Sequence, residues 1–310
     1  MASSCFSDVD EYGFERPHDF DYETYEDFMS EYLKVLAKMA KKWAKIIGEG
    51  KSLQRSITIK KYVRKGIPGE HRGLVWLAVS GGEGIKNVSP ELYQKLLQEN
   101  QQHQLYNVLL AFAHQNKTVG YCQGLNYIAG LLLLVTKSEE TAFWLLKVLI
   151  DKILPDYYTR TMDGLLTDID VLAELVRIKM PDVYQHVTNL GLPWAVITTK
   201  WFVCLFAEVL PIETTLRIWD CLFYEGTKII FRVALTLIKR NRSNLLACQD
   251  FTTLAECFKE ITKDSIVLRC HEFMQSIFKV PGSLPGNTIT KLRTKVTQQR
   301  IEQKQDKLGR

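Results

Sequence analysis

The 310-residue chain is 46% hydrophobic and 24% charged, and its net charge is +5. This composition excludes an intrinsically disordered protein, because the hydrophobic residues suffice for a large buried core. Its seven cysteines are scattered, with no CxxC and no histidine pair at zinc spacing, which argues against a disulfide framework or a metal site and favours a reduced, cytoplasmic setting. The beginning lacks the features of a signal peptide, and the longest apolar run, Tyr127–Val135, is shorter than the ~20 residues of a membrane span, so we expect a soluble protein.

The two ends of the chain carry opposite charge. Residues 1–31 contain ten Asp or Glu and one Arg, whereas residues 286–310 contain seven Lys or Arg and two acids. This pattern predicts an acidic disordered head over residues 1–24 and a basic tail over residues 286–310. Two interpretations are open: both ends are solvated and mobile, or the basic tail makes a peripheral contact with an anionic membrane. Basic and aromatic residues are not interleaved along any stretch, so we expect no nucleic-acid partner.

Between these ends, apolar residues recur at helical spacing, and alternating strand-like runs are scarce. The first apolar stripe runs from Tyr25 through Leu33 to Ile47 and predicts an N-terminal helical region over residues 25–64. Later stripes begin at Leu105, Phe143, Trp201 and Phe231, and glycine or proline turns separate them. We predict an all-α protein of many medium-length helices.

The motif GIPGEHRGLVW at Gly66–Trp76 combines a proline suited to a helix start with a tryptophan suited to a core. Gly73 allows another backbone to approach closely. We expect Arg72 to be structural, paired with a carboxylate or a helix end, and not catalytic.

A second structural motif is LRIWDCLFYEG at Leu216–Gly226. Arg217 and Asp220 are three residues apart, a spacing that brings side chains together on one helix face. We therefore expect an internal ion pair over a buried Trp219.

The most specific segment is VGYCQGLNYIAG at Val119–Gly130, which contains a Y-x-Q-G pattern. Taken alone, a glutamine before a glycine is more often a residue that satisfies backbone groups at a helix start. In their order, and on a helical background, the three motifs resemble the TBC domain, the family of GTPase-activating proteins for Rab GTPases. The resemblance covers roughly Lys65 to Leu284 and implies a TBC domain over residues 65–285.

The resemblance implies an activator with no chemistry or cofactor of its own, since GTP and magnesium belong to the partner Rab GTPase. It makes Gln123 a catalytic finger that positions the attacking water, and Tyr121 a packing partner that orients it. It also implies a role in membrane trafficking, in the cytoplasm and at the periphery of endomembranes.

The chain departs from the family pattern at one place. TBC domains normally carry an I-x-x-D-x-x-R motif, whose arginine is the first catalytic finger, between the first two motifs found here. The stretch from Gly73 to Thr159 holds no arginine, and a Gln-rich patch, Gln98–Gln104, joins two helical patterns directly. We therefore expect GTPase activation that is weak or lost. Two other functional interpretations are open: a non-catalytic Rab-binding adaptor and a destabilised variant. The gap itself would be explained equally by a splice form or by a diverged copy. Helices beside the gap are expected to expose some of the side chains Leu92, Leu96, Val108 and Phe112.

Overall fold

The computed structural model describes residues 9–10, 12, 14–48, 53–93 and 104–308. In these ranges the chain forms α-helices and no strand beyond one isolated bridge between Val9 and Glu15, which confirms the all-α prediction. The helices are α1 (Tyr22–Gly48), α2 (Ile57–Lys65), α3 (Arg72–Ser80), α4 (Gly82–Val88), α5 (Gln104–Gln115), α6 (Leu125–Thr136), α7 (Glu139–Val148), α8 (Asp163–Lys179), α9 (Pro181–Asn189), α10 (Trp194–Val203), α11 (Ile212–Glu225), α12 (Lys228–Arg240), α13 (Arg242–Ala247), α14 (Phe251–Glu260), α15 (Ser265–Leu268), α16 (Cys270–Lys279) and α17 (Gly286–Leu308).

Two short irregular helical turns complete the described elements. A 3₁₀ turn at Gly69–His71 leads into α3, and a π turn at Leu149–Ile153 extends α7. Several helix starts are fixed by side-chain caps, because the first N–H groups of a helix have no partner within it. Ser56 accepts a hydrogen bond from the backbone of Ile59 at the start of α2, and Ser138 accepts one from Thr141 at the start of α7.

Helix α11 lies at the centre of the molecule. Every residue from Thr214 to Tyr224 is buried, as expected for a helix that other helices cover on all sides. It packs against α2, α3, α12 and α16. Trp76 of α3 stacks on Phe223 of α11 with 5.0 Å between ring centroids, and these aromatic contacts join the N-terminal helices to the central one.

Helices α5, α6 and α7 pack on one another and carry the loop that contains Gln123. Val108 and Phe112 of α5 are fully buried, so these two of the four side chains named above are not exposed by the gap. The reason is that α5 packs directly on α6 and α7. Leu92 is half-buried. Leu96 and most of Gln98–Gln104 lie outside the described residues.

Residues on both sides of the gap are tied to the start of α7 by hydrogen bonds. The Tyr93 hydroxyl and the Asn107 amide both donate to the Glu139 carboxylate, at 2.9 and 3.1 Å. The ring of Tyr93 also packs 5.1 Å from that of Phe143. These contacts bring residues 93 and 107 to the same acceptor.

The apolar stripe of α1 is only partly buried. Tyr25, Met39 and Trp43 are buried, but Leu33 is 56% exposed, so the prediction that Leu33 belongs to the buried face is wrong. Helix α1 begins at Tyr22. Its buried side chains also include Phe28 and Tyr32, so the apolar stripe is buried in part and Leu33 lies on the solvent side.

The basic C-terminal segment is not a solvated end over its first turns. It forms α17, in which Ile289 and Val296 are buried. Arg293 donates two hydrogen bonds of 2.6 Å to the buried carboxylate of Asp168 in α8. A bidentate pair of this kind fixes both position and orientation, which explains why this part of the tail is docked. No helix within the described ranges combines the length and the apolar character needed to cross a bilayer.

Candidate functional site

The loop that connects α5 to α6, residues 116–124, carries both predicted site residues. Asn116 organises its first half. The Asn116 side-chain oxygen accepts a hydrogen bond from the Val119 amide at 3.1 Å, and its backbone oxygen accepts one from the Gly120 amide at 2.8 Å. The Asn116 amide donates to Asp151 at 3.1 Å, which ties the loop to the π turn after α7.

Gly124 fixes the second half of the loop. It has φ = +102° and caps α6, a backbone conformation that favours glycine. A Cβ atom at this position would lie 2.8 Å from Cγ1 of Val203. The Val203 carbonyl in turn accepts a hydrogen bond of 2.8 Å from the buried Tyr158. The loop is thus pressed against the end of α10, and only a residue without a side chain fits there.

Gln123 lies immediately before this buried glycine and is exposed. Tyr121 is 59% exposed on the same loop. Within the described part of the chain, neither side chain has a hydrogen-bond partner in the structure. The structure therefore brings both predicted residues to one surface, with the glutamine amide available to an external partner. Their roles as finger and orienting residue remain predictions.

Three further polar residues lie beside this loop, and two of them, Glu208 and Lys200, lie outside the three motifs. Tyr127, in the first turn of α6, lies next to Glu208, whose negative charge raises the pKa of the Tyr127 hydroxyl. Glu208 also pairs with Lys200 at 3.2 Å. Glu208 and Lys200 are distant in sequence from the Y-x-Q-G pattern. The contact between Gly124 and Val203 brings the two regions together.

The predicted structural pairing of Arg72 is confirmed. Asp220 is completely buried and accepts hydrogen bonds from Arg72 Nε at 3.2 Å and from Trp76 Nε1 at 2.9 Å. It also accepts one from the Ile67 amide at 3.0 Å. Arg72 is 8% exposed, so its guanidinium is engaged in the core and is not available to a partner's phosphate.

The predicted Arg–Asp pair over Trp219 is confirmed as well. Arg217 Nε lies 3.7 Å from the Asp220 carboxylate, and both side chains are buried. The Arg217 guanidinium further donates to the Tyr32 hydroxyl at 2.8 Å and to the Arg64 carbonyl at 3.1 Å. The third motif therefore ties α1, α2 and α11 together, and its residues Arg217, Trp219 and Asp220 are all buried.

Glu225, near the end of the third motif, forms an ion-pair cluster with α2. Arg64 donates two hydrogen bonds to its carboxylate, at 2.6 and 2.9 Å, and Lys60 and Lys228 lie 3.4 and 2.8 Å away. Burial alone would raise the pKa of Glu225, but the hydrogen bonds from Arg64 and Lys228 outweigh it and lower the pKa to about 2.

Comparison with known proteins identifies the family. A sequence model described as the Rab-GTPase-TBC domain matches residues 70–246, more than half of the chain and all three motifs except the first few residues. The chain belongs to the Rab-GTPase-TBC domain family. Among the described residues, no cluster of three His, Cys, Asp or Glu is arranged to hold a metal ion.

Related TBC proteins match over almost their whole length. The chain is 48% identical to zebrafish growth hormone-regulated TBC protein 1-A, with 92% of this chain and 88% of that protein covered. It is 47% identical to the rat growth hormone-regulated TBC protein 1, with 92% and 91% covered. The run ILPDYY and the long segment LRIWDCLFYEGTKIIFRVALTLIK predict this similarity within the family, and the comparisons confirm it.

A solved TBC structure has the same fold. The Chlamydomonas flagellar RabGAP TBC domain is 28% identical and superposes with a TM-score of 0.74, covering 87% of this chain and 99% of that one. The helical order derived above is therefore that of a TBC domain. The Gln123 loop, α3 and α11 all fall within the residues that the family model matches.

The alignment lengths bear on the predicted gap. The alignment with the zebrafish protein runs over 315 positions, but it includes only 92% of the 310 residues of this chain, or about 285. About thirty aligned positions therefore hold a residue of the zebrafish protein and none of this chain. The alignment with the rat protein runs over 287 positions with the same share of this chain, and so contains almost no such surplus. Within the aligned range the chain is therefore about thirty residues shorter in total than the zebrafish relative, and it shows almost no such difference from the rat relative.

Proposed function

We propose that this chain binds a Rab-family small GTPase through the surface around Gln123, as a TBC-type GTPase-activating protein whose catalytic contribution is weak or lost. The observation that carries the proposal is the exposed Gln123, held on a loop whose backbone is fixed at Asn116 and Gly124. The missing arginine between Gly73 and Thr159 supports the catalytic part of the proposal.

The chemistry expected of Gln123 follows from its amide. GTP hydrolysis in such complexes depends on positioning and on electrostatic stabilisation, because the protein makes no covalent bond to the phosphate. An exposed amide can accept a hydrogen bond from the attacking water and donate one to the phosphate region. GTP and magnesium are supplied by the partner, so the chain needs no cofactor of its own.

The missing arginine finger decides the expected rate. Such a finger contributes roughly 10³–10⁵ in rate in GTPases that receive one. Lysines near the gap are poor substitutes, because they lack the planar fork that matches phosphate oxygens. Lys86 is already paired with Glu140 at 3.2 Å. Lys117 is exposed on the Gln123 loop, but it offers only a point charge.

The alternative function is a non-catalytic adaptor that holds a Rab or another trafficking partner without stimulating hydrolysis. The buried core around Asp220 and the exposed loop are both intact in this chain, which favours a folded binding protein over a destabilised variant. We also propose a cytoplasmic location with peripheral contact to endomembranes.

The test is direct binding to a panel of Rab proteins loaded with GTPγS or GDP. We expect at least one Rab to bind in the GTPγS form, and Gln123→Ala to weaken that complex. Gln249→Ala, a change at an exposed glutamine on the α13–α14 connection, is the matched control and should leave binding unchanged. Failure to bind any Rab in either nucleotide state would contradict the proposal.

A further inference from the structure

A cavity of about 980 Å³ lies between the N-terminal segment, residues 10–21, and the helices α10, α14 and α15 with the start of α11. Its volume is at the upper end of the ~300–1,000 Å³ that is usual for small-molecule sites. Neither Gln123 nor Tyr121 lines it, although Lys200 and Glu208, which lie near the Gln123 loop, do. The cavity is therefore distinct from the candidate functional site and borders on it.

The walls of the cavity are largely apolar. More than half of the residues that line it have apolar side chains. Phe14 and Phe20 come from the N-terminal segment, and Trp201 and Phe258 come from α10 and α14. The rings of Trp201 and Phe258 lie 6.4 Å apart, and both side chains are buried. Walls of this kind favour a ligand with an apolar body, because binding removes apolar surface from water.

One carboxylate of the cavity is only partly compensated. Glu213, in the first turn of α11, lines the cavity, and the Tyr25 hydroxyl donates to its Oε1 atom at 2.9 Å. In the described part of the chain no Lys, Arg or His nitrogen lies within 4.0 Å of this carboxylate. Burial raises the pKa of Glu213, and the hydrogen bond from Tyr25 and the charge of Arg16 offset this only in part. A cation in contact with Glu213 would therefore stabilise its charged form.

The charge around the cavity is predominantly acidic. Seven of the residues that line it are Asp or Glu, and four are Lys or Arg. Lys200 and Lys263 pair with Glu208 and Glu260, at 3.2 and 3.1 Å, so five acids and two basic residues remain. Walls that carry one sign of charge raise the local concentration of ions of the opposite sign. The cavity thus favours a cation over an anion.

Arg16, one of the two remaining basic residues, is engaged with aromatic rings. Its guanidinium lies 4.8 Å from the ring centroid of Tyr25 and 5.1 Å from that of Phe20. These cation–π contacts hold the N-terminal segment against the start of α1. Arg16 therefore keeps one wall of the cavity in place and leaves Glu213 without an ion pair.

We propose that this cavity binds a small apolar molecule that carries a protonated amine, with its apolar body against Trp201 and Phe258 and its ammonium group on Glu213. An ammonium group donates charge-assisted hydrogen bonds to a carboxylate, and aromatic ring faces also attract a cation. The site does not depend on GTPase binding, so the proposal can stand or fall without the function proposed above.

The experiment is isothermal titration calorimetry of the full chain with decylamine, decanol and decanoate at pH 7. The three ligands share one apolar chain and differ in the charge of the head group, which is positive, neutral or negative. A hydrogen bond to a charged group contributes about 10- to 100-fold in affinity. We therefore expect decylamine to bind at least about tenfold more tightly than decanol, and decanoate to bind most weakly.

Three variants locate the ligand. Glu213→Gln keeps the shape of the side chain and removes its charge, so it should weaken decylamine binding about 10- to 100-fold and change decanol binding by less than about twofold. Glu83→Gln, the matched control, removes the same charge from an exposed residue of α4 outside the cavity, and should leave both affinities within about twofold. Ala255→Phe adds a ring to the wall of the cavity and should weaken decylamine and decanol alike. Circular dichroism with and without decylamine verifies that each variant is folded.

Four results would overturn the proposal. The first is a dissociation constant for decylamine above about 1 mM, too weak for a specific site. The second is equal affinity for decylamine and decanoate, which would indicate apolar contact without recognition of charge. The third is an equal effect of Glu213→Gln and Glu83→Gln on decylamine binding, which would indicate a diffuse attraction. The fourth is unchanged binding by Ala255→Phe, which would place the decyl chain outside the cavity.

Discussion

Removing the carboxylate of Asp220 should destabilise the protein more than most single substitutions. Asp220 accepts hydrogen bonds from the Ile67 amide, Arg72 and Trp76 at 3.0, 3.2 and 2.9 Å, and Arg217 lies 3.7 Å away. Asp220→Ala would leave two buried guanidinium groups and two buried N–H groups without their acceptor. Breaking a buried ion pair by removing one partner costs about 3–5 kcal/mol.

This cost is a large share of the total, because domains are stable by only ~5–15 kcal/mol. The assay is urea unfolding followed by circular dichroism at neutral pH. Asp182→Ala is the matched control, since Asp182 pairs with Arg242 at 2.6 Å but both side chains are well exposed, at 34% and 54%. An exposed pair contributes ~0–1 kcal/mol. If Asp220→Ala costs no more than the control, the buried network does not stabilise the fold as argued here.

Three other changes test the Gln123 loop and the ion-pair cluster. Gln123→Ala should return any stimulated GTP hydrolysis to the intrinsic rate with stability unchanged within ~0.5 kcal/mol, as for an exposed residue; an unaltered rate would make its role structural. Gly124→Ala should lower the free energy of unfolding by ~1–3 kcal/mol, because the new side chain strains the backbone and meets Val203. Gly120→Ala should lower it less, since φ is also positive there but nothing lies within 4 Å of the new Cβ atom. Equal free energies of unfolding for the two variants would contradict the packing argument. Glu225→Gln should lower the melting temperature at pH 7. The difference in melting temperature between the wild type and this variant should shrink as the pH falls from about 4.3, the unfolded pKa of glutamate, towards the folded pKa of about 2, because the protonated Glu225 no longer pairs as an anion with Arg64 and Lys228. A difference that stays constant over this pH range would show that the pKa of Glu225 is not depressed.

Local patterns in the sequence predicted the helical fold and the structural motifs. The spacing of Arg217 and Asp220 indicated their pairing, and Arg72 was expected to be a structural residue paired with a carboxylate or a helix end. These predictions held because each depends on neighbours within one helix or on a residue type with few stable environments. The position of Gln123 before a helix-capping glycine was likewise readable from the Y-x-Q-G pattern.

Contacts between distant segments were not predictable in this way. The approach of Val203 to Gly124, which brings Glu208 beside the loop, depends on where the end of α10 lies relative to that loop. Val108 was one of four side chains of which some were expected to be exposed, and it is buried because α5 packs on α6 and α7. Such effects depend on tertiary packing, which single-sequence periodicity does not contain.

A groove with a basic rim between α1, α2 and α16 shows the same limit. Its lysines lie on α1, α2 and α16, and along the chain each group is an ordinary polar helix face. Only the packing of α1 beside α2 places Lys38 and Lys42 opposite Lys61 and Lys65. By contrast, the most obvious charge feature of the sequence, the basic tail, is partly neutralised by Asp168 and its neighbours on α8.

Single-turnover GTP hydrolysis by a Rab that binds the chain tests the central claim most directly. The chain is compared with a version in which an I-x-x-D-x-x-R segment is inserted between Gln98 and Gln104. We expect the unmodified chain to accelerate hydrolysis by far less than ~10³-fold, and the inserted arginine to raise the rate towards the ~10³–10⁵-fold range of a complete arginine finger. Acceleration above ~10³-fold by the unmodified chain would contradict the account, because another group would then supply the charge that the missing arginine provides.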